Sequence, residues 1–302
     1  MLRLTAAIVL TITAAATQAQ DGKAAGAQEA QANFNRAVVL APDDVPAFAP
    51  PPQGFADDGP GVRHGQMQEF SYESAVTHTR RKAMVYLPSG YAADRRYPVL
   101  YLLHGIGGNE HEWSGYVRAT IVLDKLIASG QAEPMIVVMP NGRARADDAS
   151  PAPDQTFTPA HAAAFANFEG DLLRSLIPAI DGQYPTLADA PHRAIAGLSM
   201  GGGQALNIGL THLDSFGSVG GFSSAPNTKP AAELLTDASA ARRLKLLYLS
   251  CGRQDGLINI SQALHRALRD AGIPHIWNVD AHPHDRDSWA ENLYHFAQRV
   301  FR

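Results

Sequence analysis

The stretch DAHPHDRDSW, residues 280–289, sets two histidines two positions apart among three carboxylates and an arginine. Such a cluster could ligate a metal through His282, His284 and the nearby aspartates, form a charged loop, or supply the imidazole of a proton-transfer system. A second stretch holds a group that such an imidazole could serve. In RAIAGLSMGGGQALNIGL, the run Gly197-Leu198-Ser199-Met200-Gly201 fits G-x-S-x-G, the pattern of a serine held on a sharp turn between a strand and a helix. Glycine is needed on either side because bulkier residues there would collide across the turn. The same turn would push the Ser199 hydroxyl outward and aim the N–H of Met200, at the helix start, toward charge developing on a substrate oxygen.

Acyl transfer to a serine needs a second donor for that oxygen, and LYLLHGIGGNEHEW offers one after an earlier strand. In its run His104-Gly105-Ile106-Gly107-Gly108 the expected donor is the Ile106 N–H, with His104 read as a brace for the turn. His111-Glu112 lacks the second histidine of a zinc-protease helix. The acid should lie downstream of Ser199 at a strand end. LKLLYLSCG runs straight into Arg253-Gln254-Asp255-Gly256, which singles out Asp255; Asp237 and Asp270 fall in helical or turn segments. The base must then follow IPHIWNVDA, the last strand-like run. His275 begins that run, at the wrong end of a sheet, so His282 and His284 both remain, separated by a Pro283 that disfavours helical geometry at His282.

The elements that would position these groups are legible as alternating patterns. PVLYLLHG, MIVVMPNG, HRAIAGLS and LKLLYLSCG are apolar runs ending in turn residues, as expected of strands buried on both faces of a parallel sheet. Between and after them, Phe168, Leu172, Leu176 and Ile180 fall on one helical stripe, Ile260, Leu264 and Leu268 on another, and Trp289, Leu293, Phe296 and Val300 on a third. QMQEFSYES and RRKAMVYLPSGY read as an antiparallel pair at a sheet edge. The sum is an α/β architecture, a mostly parallel doubly wound sheet whose chemistry gathers at the carboxyl ends of its strands.

The 302 residues, 45% of them hydrophobic, suffice for one large domain. A net charge of −4, with no long basic run, argues against nucleic acid as a partner. Residues 1–19 combine an arginine, a short apolar run and small residues up to Ala19, the pattern of a cleaved export signal, and the run is too short to span a bilayer, which takes about 20 residues. A secreted or periplasmic protein without stable membrane insertion is expected. Residues 20–61, rich in Ala, Gln, Asp and Pro, read as tail and linker. The single cysteine, Cys251, rules out an internal disulfide and reads as a small buried hydrophobe.

From about Gly65 onward the chain resembles the feruloyl and acetylxylan esterases of the first carbohydrate esterase family. LLHGIGGNEHEW, VVMPNGRA, FEGDLLRSLIPAI, AIAGLSMGGGQALNIGLTHLDSF, FSSAPNT and the CGRQD turn carry the resemblance. It implies an α/β-hydrolase catalytic domain over residues 62–302 and a Ser-His-Asp triad. In such relatives the catalytic histidine precedes a tryptophan by five positions and a leucine follows that tryptophan by four, which selects His284, with Trp289 and Leu293. Pro283 and Arg286 depart from the relatives' usual glycine and aromatic residues. The resemblance further implies an ester-substituted plant polysaccharide as partner, an acetyl or hydroxycinnamoyl acyl group, and no cofactor or metal. Trp113, on the loop beyond the oxyanion segment, is the candidate substrate contact, stacking on a sugar or aromatic ring, with packing the loop down as its other reading.

Overall fold

Among the described residues, mostly apolar runs flanked by turn residues form eight strands in one sheet: β1 (Gln66–Glu73), β2 (Arg80–Leu87), β3 (Val99–Leu103), β4 (Ile136–Pro140), β5 (Arg193–Leu198), β6 (Ser218–Phe222), β7 (Leu246–Gly252) and β8 (Ile276–Asp280). A computed structural model describes residues 28–302. The export-signal reading of residues 1–19 falls outside the described residues. The sheet order is β1-β2-β4-β3-β5-β6-β7-β8. β1 and β2 form the antiparallel edge pair, β2 meets β4 antiparallel, and every other pairing is parallel.

Strand β6 has no counterpart in the sequence reading. Its SVGGF run is short, and two glycines replace the bulky residues that mark a buried strand. Packing explains them: a Cβ on Gly220 would press on the Ala196 Cβ and the Phe296 ring at 3.0 Å each, and one on Gly221 would meet Leu206 at 2.7 Å.

Helices cover both faces. α1 (Ala119–Ala128) and, last in the chain, α7 (Arg286–Ala297) pack Val122, Leu123, Leu293 and Phe296 against Leu100, Leu102 and Tyr248. On the opposite face lie α2 (Pro159–Ala166), α3 (Phe168–Asp171), α4 (Ile177–Gln183), α5 (Ser199–Thr211) and α6 (Ile258–Asp270). There Phe168, Leu172, Leu206 and Leu264 meet Val99, Tyr101 and Leu103. β3 thus alternates its side chains between two apolar layers, as the strand period requires. The stripe expected over residues 168–180 is present, but a π-turn at Leu172–Leu176 divides it into α3 and α4. Pro178, which has no N–H to offer the carbonyl four residues back, follows directly.

The chain passes from β3 outward to β4, then returns across β3 to β5 and continues outward in the other direction. At such a switch point a crevice opens beyond the carboxyl ends of the two neighbouring strands. Leu103, at the end of β3, pairs with Gly197, near the end of β5. The two glycine-rich segments of the sequence therefore face each other across that crevice.

Residues read as tail and linker are laid along the sheet's β8 edge. The Asp44 carboxylate accepts from the Trp277 indole at 2.9 Å, from Gln262 Nε2 at 2.5 Å and from the Ala41 N–H at 2.6 Å. The Val279 N–H donates to the Val45 carbonyl, and Phe48 stacks on Tyr248 with Arg299 3.6 Å over its ring.

Candidate active site

Ser199 sits where β5 ends and α5 begins, at φ 52°, a left-handed conformation that costs a non-glycine residue on the order of 1–2 kcal/mol. Its surroundings impose that conformation. A Cβ on Gly197 would run into the carbonyl of Gly201, and one on Gly201 into the carbonyls of Leu103 and His104. The two glycines flanking Ser199 are thus required by close backbone approach, as the sequence pattern anticipates.

The imidazole of His284 meets the serine: Nε2 lies 3.0 Å from Ser199 Oγ, and Nδ1 lies 2.7 Å from Asp255 Oδ2. With Nδ1–H given to the carboxylate, Nε2 is left to accept from the hydroxyl. Asp255, in the turn after β7, also accepts from the Leu257 N–H at 2.8 Å and the Cys251 thiol at 3.3 Å. Burial opposes ionisation of Asp255, but the hydrogen bond and charge of His284 and the Leu257 N–H outweigh it and hold the carboxyl below its ordinary value. Cys251 is buried, as expected, and burial together with Asp255 pushes its thiol well up.

His282 turns elsewhere, to Glu291 at 3.1 Å. The carboxylates around it are committed to holding the loop. Asp280 accepts from the His282 N–H, the Ser288 hydroxyl and Asn292, while Asp285 caps α7 through the N–H groups of Asp287 and Ser288. Gln254 adds a bond to the Ala281 carbonyl at 2.6 Å, tying this loop to the Asp255 turn. Among the described residues no three His, Cys, Asp or Glu side chains gather as a metal-binding group. His275 lies just before β8 and bonds His265 at 2.8 Å, away from Ser199 as its place at the start of that run implies.

The loop after β3 is braced from several sides. His104 is buried, with Nδ1–H donated to the Gly105 carbonyl at 2.7 Å and Nε2 accepting the Gly142 N–H at 2.8 Å, the bracing role read from the sequence. Burial and the nearby Arg143 charge push its imidazole down to about 3, so it is neutral. Glu112 accepts the Gly105 N–H at 2.7 Å, and burial pushes its carboxyl up despite that bond. His161 donates Nε2–H to the Ile106 carbonyl at 2.9 Å, and the Arg143 guanidinium bonds the Gly108 carbonyl. Asn227 holds the Met200 carbonyl at 2.9 Å. None of Glu112, His161, Arg143 and Asn227 was assigned a site role from the sequence. Glu112, Arg143 and Asn227 fall in stretches that carry the family resemblance, whereas His161 falls in none.

Trp113 corrects an expectation. It is 1% exposed, donates its indole N–H to the Leu103 carbonyl at 2.9 Å and packs edge-on to Phe222, so it pins the loop and presents no face to a substrate.

Ser199, Ile106 and Met200 share one cavity of about 360 Å³ with Phe157, Leu257 and Phe34. That volume lies at the lower end of small-molecule sites, and its walls are mainly apolar.

Comparison with known proteins accords with this arrangement. The esterase family model matches residues 74–292. An endo-1,4-beta-xylanase/feruloyl esterase of Xylanibacter ruminicola is 34% identical over 247 residues, 80% of this chain and 32% of that protein. Endo-1,4-beta-xylanase Y of Acetivibrio thermocellus is 30% identical over 166 residues, 51% of this chain and 14% of that one. The chain thus spans a third or less of these curated relatives. A ferulic acid esterase of the same carbohydrate esterase family from Anaeromyces mucronatus, solved with ferulic acid, superposes with a TM-score of 0.74 at 26% identity, covering 87% of this chain and 98% of that one. The doubly wound sheet is that of the α/β-hydrolases.

Proposed function

The chain belongs to the esterase family, and we propose that it is an exported serine esterase that removes hydroxycinnamoyl or acetyl groups from plant cell-wall polysaccharide. The observation that carries this reading is the unbroken chain Ser199 Oγ–His284 Nε2–His284 Nδ1–Asp255 Oδ2, at 3.0 and 2.7 Å, opening onto an apolar cavity. The relatives named for feruloyl ester cleavage support the acyl group, and the leader-like residues 1–19 support export. Among the described residues no helix is long and apolar enough to cross a membrane.

In this mechanism the Ser199 oxygen attacks the ester carbonyl as its proton passes to His284 Nε2. Asp255 fixes the imidazole tautomer and stabilises the imidazolium that forms. The N–H groups of Met200 and Ile106 receive the oxyanion, each lowering the barrier by about 3 kcal/mol. Collapse of the tetrahedral intermediate expels the polysaccharide alcohol, which takes the proton from His284. Water, deprotonated in turn by His284, then frees the acid and restores Ser199.

Release of p-nitrophenol from its acetate and of ferulate from methyl ferulate tests the reading. Ser199→Ala is expected to lose on the order of 10⁴-fold or more in kcat with both esters. Equal rates for wild type and variant would end the proposal.

A further inference from the structure

The cavity beside Ser199 is completed by a part of the chain that lies outside the matched esterase region. Residues 28–34 are helical and precede residues 74–292, yet Phe34 lines the cavity together with Ile106 and Leu257. The Phe34 ring lies 5.2 Å from His284, tilted by 60°, and meets Phe157 edge-on at 6.4 Å. Its position is held by the backbone. A Cβ on Gly256, next to Asp255, would run into the Phe34 carbonyl, so the segment rests directly on the turn that carries the acid. Further along, Gln262 Nε2 donates to the Val39 carbonyl at 2.9 Å and to Asp44 at 2.5 Å, fastening the strand of chain that follows Phe34 to α6.

Phe34 is 38% exposed. An aromatic side chain held partly open beside the serine gains little from burial in the free protein and has a face to offer a ligand. An acetyl group would leave most of the cavity unfilled. A flat aryl ring on an extended acyl arm would reach both Phe34 and Phe157 and cover the apolar wall between them. We propose that Phe34, delivered by the N-terminal segment, is a specificity-determining residue that selects aryl acyl groups over acetyl. The proposal rests on the esterase reading for its chemistry, but its binding step stands apart from turnover.

Ferulate binding measured by calorimetry in the Ser199→Ala protein isolates that step. Adding Phe34→Ala is expected to raise the Kd for ferulate about tenfold, and adding Phe34→Trp to keep it near the parent value. With Ser199 intact, the ratio of kcat/KM for methyl ferulate to that for p-nitrophenyl acetate should fall about tenfold in Phe34→Ala. Phe34→Leu, which keeps an apolar side chain, gives a second readout if the alanine variant fails to fold. An unchanged Kd and ratio would overturn the role of Phe34, as would an equal loss on both esters with unchanged Kd. A wild-type protein that binds ferulate through Phe34 yet cleaves neither ester would instead sink the esterase reading and leave this inference standing.

Discussion

His282 and His284 carry the same ring two positions apart, and what separates them is the atom each nitrogen meets. His284 spans Ser199 and Asp255, whereas His282 bonds Glu291 on α7 and touches neither. His284→Ala is therefore expected to lose on the order of 10⁴-fold in kcat, and His282→Ala less than about tenfold. Steady-state hydrolysis of p-nitrophenyl acetate by both variants decides it; a larger loss in His282→Ala would reverse the assignment. Ser199 and Asp255 were legible because each follows an apolar run within a few residues, so their place at a strand end could be read directly. The residues alone left two histidines open, since a loop places either by small backbone rotations, and only the spacing to Trp289 and Leu293 separated them. Trp113 was misread because an indole after a glycine-rich loop looks the same in sequence whether it faces a sugar or the Leu103 carbonyl.

Elements position these groups through backbone contacts that leave a fainter trace. The Ser199 turn depends on β3 and β5 approaching so closely that Gly201 abuts the Leu103 and His104 carbonyls. Gly201→Ala must part those strand ends, and it should lower unfolding free energy by about 3 kcal/mol, the upper range for overpacking. A urea midpoint shifted without change in slope would show it, together with lost ester turnover as the Ser199 hydroxyl moves. Wild-type stability in that variant would mean that the turn is looser than the geometry indicates. The same closeness hid β6. Its two glycines are there because Phe296 and Leu206 leave no room for side chains, and a five-residue strand with only Val219 and Phe222 to bury carries no hydrophobic period to read.

At the scale of the whole molecule, the least legible feature was the path of residues 36–57. Its anchors, Asp44 to Trp277 and Phe48 to Tyr248, join positions far apart in the chain, and no local pattern records such a pairing. Composition suggested a linker because Pro and Ala lack periodicity, yet buried hydrogen bonds hold an irregular strand as firmly as a regular one. Long-range burial also governs how the molecule responds to acid. His104 is sealed between Gly105 and Gly142, and its imidazole is pushed down to about 3 against an unfolded value of 6.5. As pH falls through the unfolded value, the unfolded chain takes up a proton that the folded protein refuses until about 3. Folding stability is lost across that window, by about 2 kcal/mol from His104 between pH 7.5 and 5. His161 and His275, also pushed down by burial, act in the same direction. Asp255 is also pushed down, so its contribution has the same sign, but it is present above the ordinary carboxylate value and is lost only below it, outside the interval between pH 7.5 and 5. His104→Gln supplies one donor and one acceptor without titrating. Urea unfolding of both proteins at pH 7.5 and 5 should show the variant losing about 2 kcal/mol less than wild type over that interval. Parallel losses would mean that His104 is protonated in the folded protein, and the Gly142 N–H would then face a donor instead of an acceptor.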